Sequence, residues 1–193
     1  MYVKGNPCKS VRQYKEKARE RYIIDAEYAA VFAVADDTVR AVMELTYLCC
    51  ARQSDVLALT RDQLLEPVIF IRQRKTGAEQ IKAWSDRLRA AVELADAVPI
   101  ANGIASLYVI HQQNGKRYTR DGFNSKWRNA KLAAKAANPS LDIDFTFHDL
   151  KAKGISDLEG SLSEKQAMSG HKNSSQTAIY DRKVKIAPVV CNQ

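Results

Sequence analysis

Residues 169–183 read SGHKNSSQTAIYDRK. A histidine follows a glycine, Asn and Ser offer a helix start, and a tyrosine stands nine residues past the histidine. Helix starts gather anions because their first amide groups have no partner within the helix. Taken alone, His171 reads as a loop histidine. Tyr180 reads as a packing residue near the middle of a short helix over 174–183. The chain has only three histidines, at 111, 148 and 171. Placing one of them just before a helix that carries a tyrosine therefore asks for a reason elsewhere in the chain.

Upstream, FHDLK at 147–151 sets His148 and Lys151 three apart, one helical turn from each other on one face. A lysine beside a histidine resists protonation of the ring, which favours a neutral imidazole able to accept a proton. The pattern predicts helices over 147–159 and 163–168, with Leu150, Gly154 and Leu158 on the core side of the first. Before them, a helix over 120–137 carries Phe123, Trp127, Ala130 and Ala134 on one face. Lys126, Arg128, Lys131 and Lys135 are assigned to the other face, a candidate contact for nucleic-acid backbone.

The first half alternates differently. Asp25 reads as the N-cap of a helix bearing Tyr28, Val31, Phe32 and Ala35, and a mostly buried helix follows over 37–48. CCARQSD interrupts it, and Ser54 reads as the cap of a short helix through Leu59. Arg52 at that break is a charge in an odd place unless it pairs or binds an anion, and Asp55 is positioned to hold its guanidinium. Residues 68–72 and 80–84 flank KTGA and predict a hairpin with Lys75 in or beside the turn. A helix begins at Ser85 with Leu88, Ala91 and Leu94 on its stripe. SLYVI at 106–110 reads as a further strand, and Asn114-Gly115 as a turn. The class is mainly α with a small antiparallel β-sheet.

Composition sets the outer bounds. The 193 residues are 46% hydrophobic and 27% charged, which describes a globular domain. The net charge of +8 favours a polyanionic partner, nucleic acid first and an acidic membrane surface second. No apolar run approaches the roughly 18–20 residues that span a bilayer. The opening MYVKGNPCKS has no apolar signal core, so the expectation is a cytoplasmic protein with no membrane role. Cys8, Cys49, Cys50 and Cys191 form neither a disulfide framework nor a CxxC site. The histidines lack metal-ligand spacing, and phosphate-binding glycine loops and GxSxG are absent. No cofactor and no metal are expected.

In order along the chain, Arg52, Lys75, His148, Lys151, His171 and Tyr180 resemble the catalytic residues of the tyrosine recombinases, the phage-integrase family. Four pieces carry the resemblance: YLCCARQSDVLALT, RQRKTGAEQI, FTFHDLKAKGISD and SGHKNSSQTAIYDRK. The resemblance spans about residues 22–185. The resemblance implies a site-specific recombinase that cuts and rejoins double-stranded DNA through a 3′-phosphotyrosine on Tyr180. It implies His148 as the base, Lys75 as the acid, and Arg52, Lys151 and His171 around the phosphate. It also implies a homo-tetramer on DNA, with a monomer as the alternative for an isolated domain. On this reading residues 1–21 are a basic arm left from a link to an N-terminal domain, 22–185 the catalytic domain, and 186–193 a tail. The apolar patch within 184–193 is a candidate for exchange between subunits. Two departures stand out: Lys151 occupies a position where the family usually has Arg, and Cys49-Cys50 one where it often has Thr-Gly. Lysine keeps the charge and loses the planar fork that grips two phosphate oxygens. The competing readings are a type IB topoisomerase and a catalytically decayed integrase that binds DNA.

Overall fold

The computed structural model describes residue 14 and residues 19–184. Most of the basic arm expected over 1–21, and the tail over 186–193, lie outside the described residues. The end of the arm packs on the domain. Arg19 Nη2 donates to the Asp144 carbonyl at 3.2 Å, and Arg21 Nη2 donates to Glu27 Oε1 at 2.8 Å.

Eight helices and one hairpin are described: α1 Asp25–Val34, α2 Asp37–Cys49, α3 Gln53–Val56, β1 Val68–Arg72, β2 Glu79–Ala83, α4 Asp86–Asp96, α5 Arg120–Ala137, α6 Asp149–Asp157, α7 Leu162–Ser169 and α8 Ser174–Tyr180. The strands pair antiparallel, with Val68 opposite Ala83 and Arg72 opposite Glu79. The mainly helical class with a small antiparallel sheet is the observed one.

Local chemistry explains most boundaries. Asp36 accepts from the Val39 amide at 2.9 Å and starts α2, and Ser85 accepts from Leu88 to start α4. Ser161 and Glu164 close a reciprocal cap at the head of α7. Several boundaries differ from the expectation. Ile24, not Asp25, precedes α1, and Asp25 instead accepts from Lys153 Nζ at 2.5 Å. Arg52, not Ser54, occupies the cap position of α3, which is a single turn. Residues 106–110 form no strand; Tyr108 makes only an isolated bridge with Thr60. α8 stops at Tyr180, so the tyrosine ends its helix instead of sitting near the middle.

α2 is the central element, buried nearly throughout, and packs against α4 and α6, while α1 packs on α5. Trp127 and Phe123 of α5 meet Phe147 edge-on at 5.1 and 5.0 Å between ring centres. Truncating one such buried ring costs about 3–5 kcal/mol. α6 crosses α2 closely because residue 154 is glycine: a Cβ there would stand 2.2 Å from the Tyr47 carbonyl oxygen. That approach brings the start of α6 beside the end of α2. Among the described residues no helix is long and apolar enough to cross a membrane, and no cluster of metal-ligating side chains occurs.

Candidate active site

Four chain breaks converge on one cleft. α2 is capped by Cys50, which takes the left-handed conformation with φ 49°, and Arg52 follows two residues on. α6 starts at His148 and turns Lys151 to the same side. α7 ends at Gly170, whose φ of 64° reverses the chain and delivers His171. α8 then ends at Tyr180.

Tyr180 is the centre of the cluster. Its Oη lies 2.6 Å from His148 Nε2, a distance at which the phenol donates to the ring nitrogen. The His171 ring is tilted against it at 4.8 Å, and the Lys151 ammonium lies 5.9 Å from the ring centre. Desolvation raises the phenol above its ordinary value, while Arg52 and Arg182 oppose the shift.

The cations shape the histidines. Desolvation and then Lys151 push His148 below its ordinary value, so the ring is neutral near pH 7. His171 is pushed down to about 4 by burial, then by Lys151 and Arg52. It too is neutral, so in this state it offers a hydrogen bond and not a full charge. Its Nδ1 meets Thr177 Oγ1 at 3.3 Å. Lys151 is fully buried and is pushed down to about 8 by desolvation and Arg52. Its Nζ donates to the Ser169 carbonyl at 3.2 Å.

Arg52 is held differently from the expectation. Its Nη1 donates to Gln73 Oε1 at 2.6 Å, whereas Asp55 Oδ2 is 4.0 Å away. Asp55 Oδ1 accepts instead from the Arg74 amide at 3.0 Å.

A cleft of about 750 Å³ opens from this cluster, and Arg52, Lys75 and His148 all line it. Lys75 projects from the hairpin turn and is exposed. Arg74, Arg117 and Arg120 line the same cleft, and none of its lining residues is acidic. Sequence reading missed those three arginines, because their convergence depends on where the hairpin and the head of α5 meet. It also missed Gln73, which has no charge to draw attention.

The four basic residues assigned to one face of α5 do not share it. Lys126 and Lys131 flank the buried stripe on opposite sides; Lys126 pairs with Asp36 at 2.7 Å and Lys131 donates to the Phe145 carbonyl at 2.8 Å. Arg128 and Lys135 point outward together. An 18-residue helix has room for both arrangements, and the two long lysines reach back to satisfy acceptors at the core edge.

The segment just after α8 is clasped to α6 and α7. Ser156 Oγ donates to the Tyr180 carbonyl at 2.9 Å and accepts from the Arg182 amide at 2.7 Å. Arg182 Nη1 donates to buried Asp149 Oδ1 at 2.6 Å, and Lys165 Nζ to Asp181 Oδ1 at 2.8 Å.

Comparison with known proteins follows this geometry. A lambda integrase (75–356) dimer bound to a COC′ core site is similar in fold, with TM-score 0.73 and 18% identity over 94% of this chain and 67% of that one. A lambda integrase tetramer bound to a Holliday junction gives TM-score 0.71 and 18% identity over 97% and 56%. XerA recombinase gives 0.65 and 17% over 83% and 59%. The chain thus spans 56–67% of the length of these structures. No curated protein matches the sequence. The sequence model of the phage integrase family matches residues 21–185, nearly the whole described domain. The chain belongs to the phage integrase family.

Proposed function

We propose that the chain is the catalytic part of a site-specific tyrosine recombinase acting on double-stranded DNA. The observation that carries this is the 2.6 Å contact between Tyr180 Oη and a neutral His148, at the edge of a cleft lined with cations. A phenol is a weak nucleophile near neutral pH, because its ordinary value is about 10. A positioned base removes that obstacle.

Tyr180 Oη attacks the scissile phosphorus and its proton passes to His148 Nε2. The bond from phosphorus to the 5′-oxygen breaks, and Lys75 on the exposed hairpin turn supplies the proton that the departing oxygen needs. Arg52 and Lys151 hold the charge that builds on the non-bridging oxygens, and His171 adds a hydrogen bond. The phosphotyrosine conserves the bond energy. Attack by a second strand's 5′-hydroxyl runs the step backwards and returns the proton from His148 to Tyr180.

The cleft arginines, with Arg128 and Lys135, would hold DNA backbone. Residues 1–21 act as an arm toward a further domain, 22–185 as the catalytic domain and 186–193 as a tail. Lambda integrase bound to a Holliday junction as a tetramer supports the same assembly here; the place proposed for it is DNA in the cytoplasm.

The test is covalent capture. Nicked duplexes of random sequence are incubated with the chain, beside Tyr180→Phe. An adduct that survives SDS with the wild type alone is expected. Its absence, with duplex binding retained, overturns the reading in favour of a binding module. Relaxation of supercoils without strand exchange would mark a topoisomerase.

A further inference from the structure

The inner face of the hairpin is apolar on β1, where Ile69 and Ile71 are buried, and polar on β2, where a hydrophobic stripe is the norm. On β2, Gln80 and Lys82 are buried while Ile81 is 68% exposed. The reason lies across the interface. The last carbonyls of α7 have no partner inside their helix. Gln80 Nε2 donates to the Ala167 and Met168 carbonyls at 3.0 and 2.9 Å. Lys82 Nζ donates to the Met168 carbonyl as well. Gln73 Nε2 and Lys151 Nζ both donate to the Ser169 carbonyl, at 2.9 and 3.2 Å. The hairpin therefore holds the end of α7, immediately before His171. The fit is tight: a Cβ at Gly170 would meet Gln73 Nε2 at 2.4 Å.

Gln73 is the branch point. It is 1% exposed, and both ends of its amide are used. Oε1 accepts from Arg52 Nη1 at 2.6 Å and from Thr76 Oγ1 at 3.0 Å. Nε2 donates to Ser169 and, at 3.2 Å, to Gln80 Oε1. Its own carbonyl accepts from the Gly77 amide at 2.8 Å, so it also frames the turn that presents Lys75. The partners fix the amide's orientation, because guanidinium can only donate and a carbonyl can only accept. Glutamate could not serve both ends: it would leave Ser169 without this donor and compete with a phosphate for Arg52.

We infer that Gln73 is a positioning residue that sets Arg52, the Lys75 turn and the His171 loop in one register for the phosphate. The inference rests on the recombinase reading for the step it affects. It does not rest on that reading for the coupling of Gln73 to Arg52.

Gln73→Met keeps the volume and removes every side-chain hydrogen bond. Gln80→Met is the control: it also releases α7 and takes one bond from Gln73, but it leaves the Gln73–Arg52 contact in place. Single-turnover adduct formation is followed at saturating duplex, using sequences captured by the wild type, with duplex affinity and Tm measured alongside. Gln73→Met is expected to slow adduct formation at least about tenfold and to change Kd less than about threefold. Gln80→Met is expected to lower Tm comparably while keeping the rate within about threefold of wild type. In an Arg52→Ala background, Gln73→Met is expected to slow the rate clearly less than it does in the wild type. Equal rates for the two glutamine variants, or full additivity with Arg52→Ala, overturns the inference. If Gln73→Met does not fold, Gln73→Leu replaces it and is read in the same two backgrounds with the same expected outcomes. If the wild type forms no adduct, the recombinase reading fails. The same cycle read on duplex affinity at low salt then decides the coupling: non-additivity upholds it and additivity removes it.

Discussion

Tyr180 Oη and His148 Nε2 are 2.6 Å apart although 32 residues separate them in the chain. Ser156 makes the meeting possible by bridging the Tyr180 carbonyl and the Arg182 amide from the far end of α6. Tyr180→Phe is expected to give no covalent adduct while binding duplex as the wild type does. His148→Ala is expected to slow adduct formation by roughly 10²–10⁴-fold, the usual worth of a positioned base. Single-turnover kinetics on nicked duplexes checks both.

The pH profile should be a bell. Below the lowered value of His148, its ring is protonated and cannot accept from Tyr180, so the acid limb lies below the ordinary histidine value of 6.5. Lys151 loses its charge as the pH rises through about 8, so the alkaline limb falls there. Lys151→Arg is expected to push that limb to higher pH, because a guanidinium stays charged. Adduct rates measured across the pH range in both proteins test the assignment.

Lys151 should cost stability for its function. It is fully buried, its nearest hydrogen-bond acceptor is a neutral carbonyl, and its folded value of about 8 lies below the ordinary 10.5. Between those values the unfolded chain binds more protons, so stability rises with pH across that window and the charged lysine is unfavourable below it. Lys151→Met is expected to raise Tm at pH 7 by roughly 2–6 °C and to abolish adduct formation. Thermal melts at pH 7 and above pH 10 should show the advantage shrinking.

Asp149 and Arg182 form a buried pair whose loss frees the chain after the tyrosine. Asp149→Ala leaves Arg182 uncompensated and is expected to cost about 3–5 kcal/mol in urea unfolding. Proteolysis should then cut after Tyr180 faster than in the wild type.

Gly154→Ala drives a methyl group to 2.2 Å from the Tyr47 carbonyl oxygen and must separate α6 from α2. A loss of about 1–3 kcal/mol or more is expected, with slower adduct formation because Lys151 moves away from Arg52. Calorimetry and single-turnover rates together check this.

The sequence by itself determined most of the elements and pointed to the candidate site residues. α5 begins and ends where its caps and apolar stripe place it, and the hairpin lies where KTGA puts its turn. Both follow from period and local hydrogen bonding, which neighbours in the chain decide. Arg52, Lys75, His148, Lys151, His171 and Tyr180 could be named as candidates because their order and local context resemble the phage-integrase family. The tertiary structure alone decided what touches what. It added Gln73 as the hydrogen-bond partner of Arg52 beside the longer Asp55 ion pair, turned Ile81 outward, ended α8 at Tyr180 and split the basic residues of α5. Each of these depends on an acceptor brought from a distant segment. The α7 carbonyls that draw in Gln80 and Lys82 have no signature in β2, because only packing places a helix end against that strand.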